Sequence, residues 1–359
     1  MGKKRVCVAM SGGVDSSVSA VLLKKQGYDV IGAFIVNWSD TKNLKGECAW
    51  KEERRDAMRV AAKLDIPLYT FNFEKEYRKW VVEHMFQEYK NGRTPNPDIL
   101  CNKFIKFGLF VRAAKKLKAD FIATGHYARV KKQGKSFHLL KGRDKNKDQS
   151  YFLYTLDRKV LSKTLFPVGC MLKSEVRAHA EKNNLSVLKK PESMGVCFIG
   201  KINLEDFLKQ KIKPRAGDIV TVQGERIGRH NGIFYYTVGQ RHGFGIKGGG
   251  AYYVAKKDVK TNQLIVALDK NNPALYEKQI FVKNPHWINK IKLPISCQAK
   301  IRHRQPDQAC RIASSEKKGQ ISVVFTKPQW AVAPGQSVVF YKGDQVLGGG
   351  VIESVIARP

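Results

Sequence analysis

The sequence predicts an α/β fold: an N-terminal doubly wound parallel sheet, then a small β-rich central domain and a C-terminal β-barrel. Three observations carry this. Up to about residue 210, short apolar runs alternate with amphipathic helices, the pattern of a parallel sheet wrapped by its crossovers. Beyond that point long helical periods vanish, and short β-rich runs follow one another between Gly, Pro and Asn turns. A second break falls at Asn271-Asn-Pro273. The 359 residues therefore divide into 1–208, 209–273 and 274–359.

Val6 to Ala9 reads as a buried parallel strand. Ser11, Gly12, Gly13 and Asp15 make a tight polar turn after it. Val14, Val18, Val21 and Leu22 then mark a helix with one buried face, ended by Gly27 in a left-handed cap. Val30 to Val36 is the second strand, with Asn37-Trp38 at its carboxyl end. A helix from about Lys51 to Leu64 buries Ala57, Val60, Ala61 and Leu64. Ile66 to Phe71 is the third strand, and Pro67 places it at an edge. Glu74 to Lys90 is helical, another helix starts near Asn102, and Phe121 to Thr124 is the fourth strand. Arg129 to Lys147 reads as a basic hairpin or loop, and Lys173 to Asn184 as a helix. In the central domain the β-runs are Ile219–Val222, Ile233–Val238, Tyr252–Ala255 and Leu264–Ala267. Five glycines between Gly243 and Gly250 predict a mobile loop there. The barrel runs are Ile295–Ile301, Ala309–Ile312, Ile321–Phe325, Ser337–Tyr341 and Val351–Val355.

The turn at Ser11–Ser17 carries the first chemistry. Its glycines lie between a strand end and a helix start, where backbone N–H groups and the helix dipole favour a phosphate. Glycine lets the backbone approach that phosphate, and Ser11, Ser16 and Ser17 add hydroxyls. No Lys follows the glycines, so this is not a GxxxxGK[ST] loop. An ordinary glycine turn would not need the strand, Asp, hydroxyls and helix together.

Charge points to a polyanion partner: 65 basic against 31 acidic residues give +34, far beyond what solubility asks. With no signal peptide and no long apolar span, a cytoplasmic protein without a membrane partner is expected. The seven cysteines are odd in number and contain no CxxC, so neither a disulfide framework nor a metal or cluster site is expected. Cys7 and Cys170 read as core residues. Cys101 follows the stiff Thr94-Pro-Asn-Pro-Asp98 stretch, with Lys103 and Lys106 nearby, a polar setting that favours a reactive thiol over a buried one. Cys197 sits in an apolar, glycine-bounded stretch 96 residues later (197 − 101), so only the fold could bring the two together. Cys48, Cys297 and Cys310 carry no role that the sequence assigns.

Ser-Gly-Gly-Val-Asp-Ser-Ser resembles the PP-loop of the ATP pyrophosphatase superfamily, whose fold is of the adenine nucleotide α-hydrolase kind. Further stretches extend the likeness nearly end to end: Thr-Pro-Asn-Pro-Asp-Ile-Leu-Cys-Asn, Ala-Thr-Gly-His-Tyr-Ala-Arg, Lys-Asp-Gln-Ser-Tyr-Phe-Leu, Gly-Val-Cys-Phe-Ile-Gly, Tyr-Thr-Val-Gly-Gln-Arg and Leu-Gly-Gly-Gly-Val-Ile. In this order they are similar to the tRNA-specific 2-thiouridylases, the MnmA/TrmU family. The resemblance implies a sulfurtransferase. ATP, with Mg²⁺, adenylates O2 of the wobble uridine in tRNAs for Lys, Glu and Gln. A persulfide, delivered by a cysteine desulfurase or a sulfur relay, then supplies sulfur to give 2-thiouridine, AMP and pyrophosphate.

Carried over by motif, the resemblance places ATP on Ala9, Met10, Ser11, Gly12, Gly13, Val14, Asp15 and Ser16, with Ile35 and Gly125 beside it. It places the target base on Asn96, Pro97 and Asp98, with Asp98 also among the catalytic residues. Cys101 is then the nucleophile, and Cys197 the persulfide carrier that a transient disulfide would join to it. The tRNA contacts fall on His126, Lys147, Asp148, Gln149, Arg302, His303 and Gln336. Two positions depart from the family habit. Ile35 replaces a common Met, a nearly volume-conserving swap, and His303 replaces a common Tyr, which would make its charge depend on pH. The chemistry agrees with the resemblance: a uracil C2 oxygen leaves poorly until adenylated, and a second thiol can release the terminal sulfur of a persulfide. Rival readings are another AMP-transferring PP-loop enzyme, such as a GMP or argininosuccinate synthetase, and a non-catalytic RNA-binding protein. The former explains neither the charge nor the β-rich half, and the intact phosphate turn opposes the latter.

Overall fold

The computed structural model describes residues 2–40, 48, 50–191, 204–244 and 250–355. Cys197 and residues 245–249 of the glycine-rich stretch lie outside them. The chain opens on β1 (Arg5–Ala9), α1 (Val14–Lys25), β2 (Asp29–Val36), α2 (Trp50–Lys63) and β3 (Leu68–Asn72). Then come β4 (Phe121–Ala123), the hairpin β5 (Ala128–Gln133) and β6 (Ser136–Lys141), and β7 (Thr164–Leu165). β3-β2-β1-β4-β7 form one sheet, parallel throughout, with β3 at the edge that Pro67 foretells. Strand order runs one way from β1 to β3 and the other way from β4 to β7. The reversal, between β1 and β4, is where such sheets open a crevice.

α1 is buried on most sides rather than on one face. It packs between the sheet and the helix Lys173–Lys182, in one core with Val176 and Ala180. Its serines tolerate burial because their hydroxyls donate back to the helix: Ser17 Oγ to Gly13 O at 2.8 Å and Ser19 Oγ to Asp15 O at 2.8 Å. Gly27 caps it at φ +85°. The third helical stretch, 74–90, passes through a π segment at Arg78–Val82. The fourth begins at Pro97, not near Asn102: Asn96 is its N-cap and accepts from Ile99 N at 3.4 Å. Read as a stiff approach, the two prolines hide this start, although Pro97 fits the first position of a helix. From Cys101 to Leu109 this helix is π-wound, a local irregularity that often accompanies functional residues.

The central domain holds β8 (Gly217–Thr221), β9 (Arg226–His230), β10 (Tyr252–Asp258) and β11 (Gln263–Leu268), in the order β10-β11-β8-β9. Ile233–Val238 is not a strand. Ile233–Tyr235 forms a single 3₁₀ turn that delivers Ile233, Tyr236 and Val238 to the domain core. Its β-branched and aromatic composition suits burial as well as pairing, and burial prevails here. β9 escaped notice because its side chains are mostly polar.

The last domain is a closed barrel of β12 (Tyr276–Trp287), β13 (Ile295–Lys300), β14 (Gln308–Ser314), β15 (Gln320–Trp330), β16 (Ser337–Lys342) and β17 (Gln345–Val355). The order is β12-β15-β14-β13-β16-β17, and β12 pairs with β17 to close it. Alternate residues such as Ile280, Val282, Ile312, Val323, Val338 and Phe340 fill the interior. β6 adds to β17, Leu139 facing Val346, so the basic hairpin of the first domain extends the barrel's sheet.

Tyr151 fastens the same joint: its buried hydroxyl donates to Ser337 O at 2.7 Å. Burial raises the Tyr151 pKa, so the proton stays available to donate. Tyr151→Phe is expected to lower unfolding stability by about 1–3 kcal/mol, since it strands a buried carbonyl. Urea denaturation of both proteins measures the difference.

Candidate active site

The phosphate turn stands at the mouth of the crevice. Met10 N donates to Ala33 O at 2.8 Å, continuing the β1–β2 ladder past Ala9. Ser11 N donates to Ser16 Oγ at 3.2 Å, which closes the turn onto the first turn of α1. Gly12 has φ +72°, and a Cβ there would lie 2.2 Å from Glu53 O of α2. Its glycine is therefore dictated by packing against α2. Gly125 follows β4, the neighbour of β1, and a Cβ there would lie 2.7 Å from Ser16 N. Ile35, near the carboxyl end of β2, is half-buried between two apolar clusters. The ten positions assigned to the nucleotide thus converge on one end of the sheet.

Two residues that sequence reasoning missed complete this end. Lys173 Nζ lies 2.5 Å from Asp15 Oδ1, and Tyr127 OH donates to the same oxygen at 2.9 Å. Lys173 is far away in sequence, and only the packing of its helix on α1 reveals it. Among the described residues, no three His, Cys, Asp or Glu side chains gather as a metal site. A magnesium ion here would therefore accompany the nucleotide, held chiefly by its phosphate oxygens, with Asp15 the one carboxylate in the turn.

The helix that starts at Pro97 packs on one face of the sheet, where Ile99, Phe107 and Phe110 share a core with Cys7, Ile31, Ala33 and Ile122. Asp98 is half-buried, and burial raises its carboxyl pKa, while nearby Lys106 and His303 pull it down. Burial and the Lys106 charge hold the His126 pKa well below its usual value, so its ring is neutral. That ring shares a 2.7 Å hydrogen bond through Nδ1 with Thr124 Oγ1. Lys106 therefore acts on both Asp98 and His126, a role its place in the sequence, near Cys101, does not reveal. Cys101 is one turn beyond Asp98 on the same helix. Its setting is apolar, not polar: it is 1% exposed, in a cluster with Tyr77, Val81, Met85, Ile105 and Phe207. Lys103 is exposed, and Lys106 acts on Asp98 and His126. The Cys101–Cys197 pairing falls outside the described residues. Cys7 is buried as expected, but Cys170 is exposed, because it lies in a turn ahead of the helix Lys173–Lys182.

The residues assigned to tRNA mostly occupy domain joints. The Asp148 carboxylate accepts from Gly142 N, Ser150 N and Ser150 Oγ at 2.9–3.1 Å and so fixes its own loop. Gln149 Oε1 accepts from Tyr127 N at 3.0 Å. His303 Nε2 donates to Asp148 O at 2.6 Å, with its ring centre 4.4 Å from that of Phe152. Burial lowers the His303 pKa, so this histidine gains its charge only at lower pH than an exposed one and is an uncharged joint at neutral pH. Arg302 donates to Val238 O at 3.1 Å and Ala331 O at 3.0 Å, tying the barrel to the central domain. Gln336 donates to Thr94 O at 2.8 Å and Pro95 O at 3.2 Å, while Thr94 N donates to Pro334 O at 2.9 Å. The barrel thereby fixes the loop that leads into Asn96 and Asp98. Lys147 N donates to Asp144 O at 3.1 Å in the turn that follows the hairpin.

Comparison with known proteins adds to this geometry. Residues 4–201 match the family described as the tRNA methyl transferase HUP domain. Residues 205–268 match the tRNA methyl transferase PRC-barrel domain, and residues 277–352 the aminomethyltransferase beta-barrel domain. The tRNA-specific 2-thiouridylase MnmA of Buchnera aphidicola is 50% identical over 98% of this chain and 97% of its own. Its counterpart in Pseudomonas fluorescens is 50% identical over 99% and 96%, and that in Bacillus subtilis 48% over 98% and 95%. With such identity over nearly the whole chain, it belongs to the family of tRNA-specific 2-thiouridylases.

Proposed function

We propose that this chain is an ATP-dependent tRNA 2-thiouridylase, a sulfurtransferase that replaces O2 of the wobble uridine with sulfur. One observation supports it above others: the helix that carries Asp98 and, one turn later, Cys101 packs on the same sheet as the phosphate turn, and its Phe107 ring lies 5.8 Å from that of His126, the residue after Gly125. Backbone N–H groups of the Gly12–Ser16 turn and the Lys173 ammonium bind the triphosphate, with Mg²⁺ supplying further neutralisation. An extruded, single-stranded base enters beside Asn96, Pro97 and Asp98. Attack of the C2 oxygen on the α-phosphorus releases pyrophosphate and turns that oxygen into a leaving group. Asp98, its pKa raised by burial, is suited to handle the N3 proton of the uracil. Cys197 carries the persulfide, its terminal sulfur displaces AMP from C2, and Cys101 attacks the carrier sulfur to form a Cys101–Cys197 disulfide. A reductant then restores both thiols.

The tRNAs for Lys, Glu and Gln, and a persulfide-bearing desulfurase or relay protein, are the partners this reading assigns, in the cytoplasm. Among the described residues no helix is long and apolar enough to cross a membrane. The matched domain descriptions carry the words methyl transferase, but a sulfonium methyl donor has no triphosphate to occupy the Gly12–Ser16 turn. Incubating tRNA with the protein, ATP, Mg²⁺ and a persulfide source should yield AMP and a sulfur-bearing wobble uridine by nucleoside mass analysis. AMP formation that ignores tRNA, or a wobble base that gains no sulfur, would overturn the proposal.

Two expectations follow from the geometry. Lys173→Ala should slow tRNA-dependent AMP formation roughly 100-fold, the usual loss of one preorganised charge at a reacting phosphate, with tRNA affinity unchanged. Affinity for tRNA should fall about 10³-fold or more between 50 and 200 mM salt. Lys131, Lys132 and Lys135, all exposed on the β5–β6 hairpin, and exposed Arg304 contribute to that slope. Replacing the three lysines together should flatten it in a filter-binding salt series.

A further inference from the structure

Cys297 and Cys310 face each other across the antiparallel strands β13 and β14 and are each other's register partner. Their Sγ atoms are 3.8 Å apart. Both side chains point into the barrel, Cys310 buried and Cys297 half-buried. Directly opposed residues on antiparallel strands have Cα separations of roughly 4.5–5.5 Å, inside the range that a disulfide spans. We propose that Cys297 and Cys310 form a redox-active dithiol that a peroxide converts to a cross-strand disulfide, separate from the thiols of sulfur transfer.

The pair is already polarised. Cys297 is the more exposed thiol, and the hydrogen bond the two sulfurs share lowers the Cys297 pKa and raises that of Cys310. Cys297 is thus the attacking thiolate and Cys310 the thiol that resolves it. Cys297 sulfur attacks one peroxide oxygen, the O–O bond breaks, a sulfenic acid forms, and the released hydroxide takes a proton to become water. Cys310 sulfur then attacks Cys297 sulfur, the S–S bond forms, the S–O bond breaks, and a second water leaves. Two thiols are oxidised, and one peroxide is reduced to two waters. The bridge would close the base of the β13–β14 hairpin, whose turn carries Arg302 and His303 to the central and N-terminal domains. It therefore pins the segment on which the three domains meet.

Treating the whole protein with hydrogen peroxide, alkylating it and mapping peptides without reduction tests this. A linked Cys297–Cys310 peptide is expected. Cys310→Ser should leave Cys297 as a sulfenic acid that dimedone traps, whereas Cys297→Ser should leave Cys310 unoxidised. Exposed Cys170 serves as the internal control for peroxide reaching the protein. If both barrel thiols remain alkylatable while Cys170 is oxidised, or if Cys297 is found linked elsewhere, the assignment is wrong. The readout involves neither ATP nor tRNA, so it stands apart from the proposed activity.

Discussion

Gly125→Ala is expected to cut tRNA-dependent AMP formation by on the order of 10²-fold or more while leaving tRNA binding intact. The added methyl would lie 2.7 Å from Ser16 N and 2.8 Å from the Asp15 carbonyl carbon, both backbone atoms of the first turn of α1. That turn has nowhere to go. Gly12 already sits against Glu53 O on its other side, and α1 is packed between the sheet and the helix Lys173–Lys182. The methyl must therefore shift the phosphate cradle itself, and a displacement approaching 1 Å at a reacting group costs about two orders of magnitude. Gly13 provides the contrast. A Cβ there meets only Ser11 Oγ, at an ordinary 3.4 Å, and the backbone has φ −96°. Gly13→Ala should fold normally, and any loss should appear as a raised KM for ATP. A Gly125→Ala enzyme with normal AMP turnover would show that the cradle does not form the nucleotide site.

What the sequence made legible follows from the range of the forces involved. Strand, turn and helix in the phosphate loop are local, and residues 5–27 show them as the spacing implies, apart from the extra burial of α1. Edge placement of β3 was readable from Pro67 because a missing N–H is a local fact. Lys173 and Tyr127 were not readable: their partner, Asp15, is separated from them by 158 and 112 positions. The same holds for Gln336, whose bonds to Thr94 and Pro95 span more than 240 residues. Cys101 was misread for a related reason. Asp98, Asn102, Lys103 and Lys106 make its sequence setting look polar, whereas its neighbours in space, Tyr77, Met85 and Phe207, come from two other helical segments. β12 escaped because its polar positions dilute the apolar alternation, although Ile280 and Val282 point cleanly inward.

The burial of Cys101 makes its substitution the most informative change on the base side. Cys101→Ser should lower sulfur incorporation by at least ~10³-fold, the scale of losing a nucleophile, while AMP formation continues. The serine is nearly isosteric, and Asp15, Lys173, Asp98 and the phosphate turn are untouched, so adenylation has no reason to fail. Cys197→Ser should give the same split between AMP and thiolated product, because a hydroxyl cannot carry a persulfide. The two differ in what remains on the protein: Cys101→Ser should accumulate a persulfide on Cys197, whereas Cys197→Ser should accumulate none. The apolar cluster adds a kinetic expectation. At 1% exposure, Cys101 should be alkylated far more slowly than exposed Cys170 in the protein alone. Part of its cover is Phe207 and Leu208, from the helix Leu204–Lys209, packed against Phe86 and Trp38. For Cys101 to act, that cover must lift, so adding tRNA and ATP should speed its alkylation. Normal sulfur incorporation by Cys101→Ser would remove this thiol from the mechanism. An alkylation rate that tRNA and ATP leave unchanged would instead locate the sulfur step away from this helix.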